Sequence, residues 1–172
     1  MSQRWKPNVT VAAIIAGQID GVTRYLLVEE HTPEGLMLNN PAGHLDAGES
    51  PQQGVVREAV EETTRLFTPD CLVGVYLARF QRHIDGEVAQ DVTYLRFAFG
   101  GSVGEADPQL SLDHGIERTL WMSLDEVRAS RDRHRSALVL TCIEDHAAGR
   151  RYPLEAISVD PTLYSPEIKV PT

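Results

Sequence analysis

One helix is marked more clearly than any other element of this chain, and it begins after Ser50. Ser50 is a favourable N-cap, Pro51 suits the first helical position, and Gln53 completes a capping-box pattern. The helix is predicted to extend from Pro51 to about Leu66, because Pro69 cannot continue it. The preceding segment is rich in Asn, Pro and Gly and lacks apolar periodicity, which is typical of a long functional loop.

Three glutamates lie close together on this helix. At about 100° per residue, Glu58, Glu61 and Glu62 fall within an arc of roughly 100°. The opposite side carries small and apolar residues: Val56, Ala59, Val60 and Thr63. Such a face is either a solvated acidic surface or a ligand set for a hard cation such as Mg²⁺, which prefers oxygen ligands. A bound cation would offset the repulsion between Glu61 and Glu62.

Apolar, β-branched runs alternate with turn segments along the rest of the chain. They predict strands over residues 9–16, 23–30, 71–81, 92–101 and 117–122. The first two are separated by an Ile-Asp-Gly turn and should form a hairpin. Further helices are predicted from Ser123, which starts a second capping box with Glu126, and over residues 134–149. This order of elements indicates a mixed α/β domain.

The composition restricts the partners of the protein. The chain has 172 residues and a formal net charge of −9. One compact domain is therefore expected, and the acidic balance argues against a nucleic-acid polymer as partner. No apolar run approaches the roughly 20 residues of a membrane span, and the N-terminus lacks the apolar segment of a signal peptide. Cys71 and Cys142 form no metal-binding pair, so a cytoplasmic protein without membrane partners is expected.

The segment GHLDAGESPQQGVVREAVEE resembles the Nudix box, Gly-x5-Glu-x7-Arg-Glu-(apolar)-x-Glu-Glu-x-Gly-(apolar). The matching residues are Gly43, Glu49, Arg57, Glu58, Ala59, Glu61 and Glu62. Two positions depart from the pattern, because Thr64 stands where the final glycine is expected and Arg65 where an apolar residue is expected. A glycine there suits a C-cap with positive φ, which is costly for a β-branched residue. The helix is therefore expected to run on through Leu66.

The resemblance covers most of the chain and implies a Nudix-type α/β/α sandwich around a mixed β-sheet. It predicts a single Nudix hydrolase domain over residues 1–157 and an irregular tail over residues 158–172. The segments NNPAGHLDAGE and GRRYPLEAI are narrower matches, and both are similar to the NudJ-type phosphatase branch of the family.

The resemblance also implies roles for the box residues. Glu58, Glu61 and Glu62 would hold the metal, with the backbone carbonyl of Ala42 or Gly43 as a further ligand. Glu49 would ligate the metal or support the ligands. Arg57 would orient the carboxylates through charge-assisted hydrogen bonds. Glu58 is a candidate base for the attacking water, and which glutamate acts as base, Glu58 or another such as Glu61, stays open at this point.

Substrate contacts are predicted outside the carboxylates. The residues proposed for them are His44, Arg79, Glu117 and Arg151, and Asp113 is a second acidic candidate beside Glu117. Each competes with a structural role on a loop, at a strand end or as a helix cap. Tyr94, Arg96 and Phe97 lie on a predicted strand, where one face could line the pocket, but core packing is the default assignment for them.

The expected activity is Mg²⁺-assisted hydrolysis, with Mn²⁺ as an alternative ion. The expected substrates are small organic di- or triphosphates: nucleoside di- or triphosphates, hydroxymethylpyrimidine diphosphate or thiamine diphosphate. The alternatives are hydrolysis of ADP-ribose or a dinucleoside polyphosphate, and a non-catalytic nucleotide-sensing module. All four box glutamates are present, which favours the enzyme over the sensor. An isomerase of this fold would require an active-site cysteine, and both cysteines lie outside the loop and the box. A monomer or weak homodimer is expected.

Overall fold

The computed structural model describes residues 4–84 and 87–164, with side chains described outside residues 82–90. The strands are β1 (Asn8–Ile19), β2 (Val22–Thr32), β3 (Gly35–Asn39), β4 (Ala42–His44), β5 (Arg65–Ile84), β6 (Glu87–Ala106) and β7 (Ile116–Ser123). The helices are α1 (Pro51–Thr63), α2 (Leu124–Ala129) and α3 (Leu138–Ala147), with 3-10 turns at Arg131–Arg133, Leu154–Ala156 and Pro161–Tyr164. The last of these turns lies in the tail that the sequence predicts to be irregular, and residues 165–172 of that tail lie outside the described residues.

The strands form one mixed sheet with the path β3-β2-β1-β6-β5, to which β4 adds beside β1 and β7 beside β2. β1 and β6 run parallel, and the other pairs are antiparallel. The predicted β1–β2 hairpin is confirmed: Ile19 faces Val22 across a turn in which Asp20 and Gly21 both have positive φ. β5 and β6 form a second antiparallel hairpin that is longer than the predicted strands.

Apolar side chains cover both faces of the sheet. One cluster packs α3 against the sheet and includes Ile14, Leu27, Val73, Ala98 and Ile143. The other packs α1 against the opposite face and includes Ile15, Leu26, Val55, Ala59 and Phe99. Alternating residues of β1 thus enter different clusters, as the two-residue period of a strand requires. The predicted α/β/α sandwich around a mixed sheet is confirmed, and within the described residues no helix has the length and apolarity to cross a membrane.

The predicted end of α1 is wrong. The helix stops at Thr63, and Thr64 itself adopts the left-handed conformation (φ 56°) that the family pattern reserves for glycine. The Thr64 N–H donates to the Val60 carbonyl at 2.8 Å, and the Thr64 carbonyl accepts from the Asp107 N–H at 2.8 Å. β5 begins at once, with Arg65 paired to Ala106. Pairing in the sheet therefore outweighs the local cost of a β-branched residue at positive φ.

Of the two later helices, α2 begins as predicted, whereas α3 is shorter than predicted. The capping box at Ser123 and Glu126 is confirmed, because each side chain accepts a hydrogen bond from the other residue's backbone N–H. α3 begins at Leu138 and not at residue 134, since the preceding segment turns through a 3-10 helix and His134 bridges to Leu38 of β3.

Candidate functional site

The long loop ends at the predicted capping box, which the structure confirms. The Ser50 hydroxyl accepts from the Gln53 N–H at 3.2 Å, and the Gln53 carboxamide accepts from the Ser50 N–H at 2.8 Å. These bonds satisfy donors at the start of α1 and fix where the helix leaves the loop. The carboxylates of α1 thereby face β4, the three-residue strand that precedes the loop.

Two glycines in this region leave room for carboxylates. A Cβ atom added to Gly43 would collide with the carboxylate of Glu58. A Cβ added to Gly54 would lie 2.8 Å from a carboxylate oxygen of Glu49 and 2.9 Å from Leu45. A side chain at either position would therefore displace a carboxylate of the box, which explains a glycine at Gly54 although the interior of a helix normally disfavours it.

Arg57 is the centre of the polar contacts in the box. Its guanidinium donates to Glu49 through Nε and Nη2, to Glu58 at 2.8 Å and to Glu61 at 3.0 Å through Nη1, and to the His44 carbonyl at 2.9 Å. These partners lie on β4, on the loop and on α1. The predicted orienting role of Arg57 has the geometry it requires, because one planar group links the three segments.

The glutamates lie in two different electrostatic environments. The Arg57 guanidinium holds the pKa of Glu49 below its usual range. Burial raises the pKa of Glu58, whose side chain is 12% exposed, although Arg57 opposes this shift. Burial raises the pKa of Glu62 to about 8, and repulsion from Glu58 adds to that rise. Glu58 and Glu62 therefore resist ionisation as the structure stands.

Glu62 does not lie on a solvated acidic surface, which was one of the two interpretations of this helix face. Glu62 is only 8% exposed and accepts a hydrogen bond from the Ala42 N–H at 2.9 Å. Val55, seven residues before Glu62 and therefore on the same side of the helix, is fully buried, whereas Val56 of the predicted apolar side is only partly buried. The buried side of α1 is thus rotated toward Glu62, because the helix packs against β4 as well as against the main sheet.

The donor set of α1 fits a hard divalent cation in its chemistry. Glu58, Glu61 and Glu62 supply carboxylate oxygens, and a nearby cation would offset the burial that penalises two of them as anions. In the arrangement described for residues 4–84 and 87–164, however, no three acidic, histidine or cysteine side chains already converge at metal-binding spacing. Arg57 occupies oxygens of Glu58 and Glu61, so a cation must share those carboxylates with the guanidinium.

Three of the predicted substrate contacts have partners outside the box. Arg79 pairs with Asp91 on the neighbouring strand, with its Nε 2.8 Å from the carboxylate. Glu117 pairs with His31 at 3.0 Å. The Arg151 guanidinium lies 3.0 Å from His146 Nε2 and 3.3 Å from the Cys71 sulfur. The observed contacts of Arg79, Glu117 and Arg151 are therefore structural, and their roles in substrate binding stay predictions.

His44 is better placed than these three. Its carbonyl accepts from Arg57, so its backbone belongs to the Arg57 network. Its ring lies 6.1 Å from the ring of Tyr94, centroid to centroid. The exposed His44 side chain thus lies beside β6, and its role in substrate binding stays a prediction.

Two acidic residues near Glu62 come from other parts of the chain. The Asp113 N–H donates to the Glu61 carbonyl at 2.9 Å, and the charges of Asp113 and Glu30 both raise the pKa of Glu62. Asp113 therefore contacts the box helix through its backbone, whereas Glu117, the acidic residue that the sequence favours for substrate binding, pairs with His31. Nothing in the sequence indicated that Glu30 lies near Glu62. Glu30 belongs to strand β2, and only the tertiary fold brings its charge close to Glu62 of α1.

Comparison with known proteins agrees with this geometry. A model of the NUDIX domain family matches residues 6–141. The chain belongs to the Nudix family. Phosphatase NudJ of Escherichia coli is 32% identical over 154 residues, covering 89% of this chain and 92% of the relative. A solved NUDIX hydrolase from Nitrosomonas europaea is 48% identical, with a TM-score of 0.76, and covers 90% of this chain and 98% of its own.

A more distant structure shares the fold alone. The NUDIX domain of Shewanella oneidensis NrtR, solved with ADP ribose, is 18% identical with a TM-score of 0.63, covering 84% of this chain and 89% of its own. Together with the four box glutamates, the NudJ relatives make this chain a Nudix phosphohydrolase. Nudix hydrolases generally use divalent metal ions, which agrees with the oxygen donor set of α1.

Proposed function

We propose that this protein is a Mg²⁺-dependent Nudix hydrolase that cleaves a phosphoanhydride bond of small organic di- and triphosphates. The observation that carries this proposal is the pair of glutamates on one helix beside Arg57, of which Glu62 is buried and Glu58 partly buried. Buried carboxylates with raised pKa values are costly unless a cation or a reaction uses them. The similarity to Phosphatase NudJ supports a phosphatase reaction. Nucleoside di- and triphosphates, hydroxymethylpyrimidine diphosphate and thiamine diphosphate, which the sequence resemblance predicts, are the first substrates to test.

Each box residue has a distinct task in this proposal. Glu58, Glu61 and Glu62 hold Mg²⁺, which when bound stabilises negative charge on the departing phosphate and lowers the pKa of a bound water. Arg57 keeps Glu58 and Glu61 in place through the two bonds from its Nη1, and Glu49 anchors Arg57 from the loop. The carboxylates are thus oriented before substrate arrives, which lowers the cost of organising the site.

Glu58 is the base that the geometry favours. Arg57 occupies its Oε1, whereas its Oε2 forms no hydrogen bond within the described residues and can accept a proton from the attacking water. Burial also raises the pKa of Glu58, and a base works best with a pKa near the working pH. Glu61 is more exposed, with 44% of its side chain accessible.

The test is a phosphate-release screen with Mg²⁺. Its substrates are nucleoside di- and triphosphates, hydroxymethylpyrimidine diphosphate, thiamine diphosphate, ADP-ribose and a dinucleoside polyphosphate; for the last two, phosphatase is added to release phosphate from the products. Glu58→Gln and Glu62→Gln should each lower turnover by orders of magnitude with the fold intact. Glu155→Gln, at an exposed position away from the box, serves as the matched control and should keep full turnover. Near-normal turnover in both box variants would refute the assigned site, and no hydrolysis of any compound would refute the activity.

A further inference from the structure

Arg96 is a buried guanidinium whose hydrogen bonds are incomplete. The residue lies on β6 and is 8% exposed. Its Nε donates to the Thr10 hydroxyl at 3.4 Å, a long bond, and its Nη1 is fully buried without any hydrogen-bond partner within the described residues. A buried charge without a full set of partners is strongly unfavourable. Arg96 is therefore buried as the default assignment to core packing expects, but its guanidinium is not fully satisfied there.

The sheet places Arg96 in a row of side chains that starts at the box. Thr10 of β1 is paired with His44 of β4 on one side and with Arg96 of β6 on the other, and Arg96 is paired with Tyr76 of β5. Directly paired residues project from the same face of a sheet. Tyr94, two residues before Arg96, shares that face and contacts the ring of His44.

The charges around Arg96 come from several elements. The carboxylates of Glu30 of β2 and Glu62 of α1 both act electrostatically on the guanidinium, and the uncharged thiol of Cys142 of α3 is a further neighbour. Arg96 thus lies between the box carboxylates and α3. Tyr76 marks the α3 end of the row, because its hydroxyl donates to Asp145 of α3 at 2.9 Å.

The carboxylates near Arg96 already have other partners. Glu30 accepts from Asn39 at 3.4 Å and lies 3.5 Å from Arg135, and Glu62 accepts from the Ala42 N–H. No ion pair within 4 Å involves Arg96 in the part of the chain that the structure describes. Its Nη1 is therefore a buried donor that no acceptor among the described residues satisfies.

We propose that Arg96 binds an anionic phosphoryl oxygen of the substrate through Nη1 and so anchors the organic diphosphate beside the box carboxylates. This role rests on the hydrolase function proposed above and adds a substrate-binding residue to it. A planar guanidinium is well matched to phosphate oxygens, and burial strengthens the interaction because little water screens it. Bound phosphate would also satisfy the donor that the folded protein leaves unpaired.

A purely structural role makes the opposite prediction for stability. If Arg96 mainly serves as a counter-charge for Glu30 and Glu62, its removal leaves those carboxylates less well compensated and destabilises the protein. If Arg96 instead serves to bind the substrate, replacing it by an apolar residue of similar length removes an unsatisfied buried charge. The stability of the folded protein is then unchanged or increased.

The test compares Arg96→Met, Arg96→Lys and the control Arg128→Met, which removes an exposed arginine paired with Glu144. The affinity for pyrophosphate is measured by titration calorimetry in a buffer that contains Mg²⁺. KM and kcat are measured with the best substrate of the phosphate-release screen. Tm is measured by scanning calorimetry. Arg96→Met should weaken pyrophosphate binding and raise KM by about tenfold or more without lowering Tm, as expected for loss of a charged hydrogen bond. Arg96→Lys keeps the charge but loses the planar fork, so its losses should be smaller. The control should match the wild type in affinity and KM.

Unchanged pyrophosphate affinity and KM in Arg96→Met would overturn the proposal, as would a lowered Tm accompanied by wild-type affinity. The pyrophosphate measurement does not depend on turnover. It therefore still tests Arg96 if the wild type hydrolyses none of the screened compounds, an outcome that would refute the proposed function alone.

Discussion

Arg57 donates two hydrogen bonds to the carboxylate of Glu49, from Nε to Oε2 at 3.0 Å and from Nη2 to Oε1 at 2.7 Å. This bidentate pair joins the loop to α1 and leaves Nη1 free to hold Glu58 and Glu61. The Glu49 side chain is only 16% exposed, so water screens the pair weakly. The loop and the carboxylate face are thus one connected unit.

Glu49→Gln should therefore impair the site without removing a carboxylate from α1. The amide keeps the shape of Glu49 but cannot accept both bonds from Arg57, so Glu58 and Glu61 are held less firmly. We expect kcat and Mg²⁺ affinity to fall by about 10- to 100-fold, as is typical when a residue that supports metal ligands is changed. Steady-state kinetics at varied Mg²⁺ checks this expectation. Asp46→Asn is the matched control, because Asp46 is 71% exposed and lies 3.8 Å from Arg57; equal effects of the two substitutions would contradict the anchoring role.

Gly43→Ala should disable the site by displacing Glu58. The added Cβ would occupy the space of the Glu58 carboxylate, and the rest of the box would be unchanged. We expect kcat/KM to fall on the order of 100-fold, because small displacements of reacting groups are costly. Gly104→Ala is the control, since a Cβ there meets no atom within 4 Å. Wild-type kinetics in Gly43→Ala would show that Glu58 does not need its observed position.

Thr64→Gly should stabilise the protein. Thr64 has a φ of 56°, a conformation that glycine adopts without steric cost. We expect the free energy of unfolding to rise by about 0.5–1 kcal/mol, measured by urea titration. Thr63→Gly should be destabilising, because Thr63 is buried, ends α1 and donates its hydroxyl to the Ala59 carbonyl. A decrease in stability for Thr64→Gly would mean that the threonine side chain contributes more than the strain costs.

His146 should make stability sensitive to mild acid. Burial lowers its pKa, and the positive charge of Arg151 lowers it further. The groups that face it are Tyr25 at 3.4 Å, Arg151 at 3.0 Å and, through its charge, Asp70. Because the folded pKa lies below the unfolded value of about 6.5, the stability is fully present above that pH and is lost as pH falls through the folded pKa.

The pH effect is measured as the difference in Tm between the wild type and His146→Gln. Between pH 7 and pH 5 the Tm of the wild type should fall by a few degrees more than the Tm of His146→Gln, because the glutamine amide does not titrate. His114→Gln, at an exposed position, should show no such shift relative to the wild type. A difference that stays constant with pH would exclude His146 as the source of acid sensitivity.

Local features of this protein were predictable from short stretches of sequence. The capping boxes at Ser50 and Ser123 and the β1–β2 turn depend on residues within a few positions of each other, and all three are confirmed. The box spacing identified the family for the same reason, since it lies within one loop and one helix. The end of α1 was not predictable, because the pairing of Arg65 with β6 overrides the preference of Thr64.

The sequence by itself determined which chemical groups this protein carries and where α1 begins, because backbone capping and residue spacing act locally. Only the tertiary structure decided which of those groups are buried, which are neutralised and which remain available. Glu62 is buried and bonded to the Ala42 N–H of β4, and Arg96 is linked to His44 through Thr10 because β6 pairs in parallel with β1, from residues far away in the chain. Burial and charge pairing depend on such long-range packing, which no short stretch of sequence specifies.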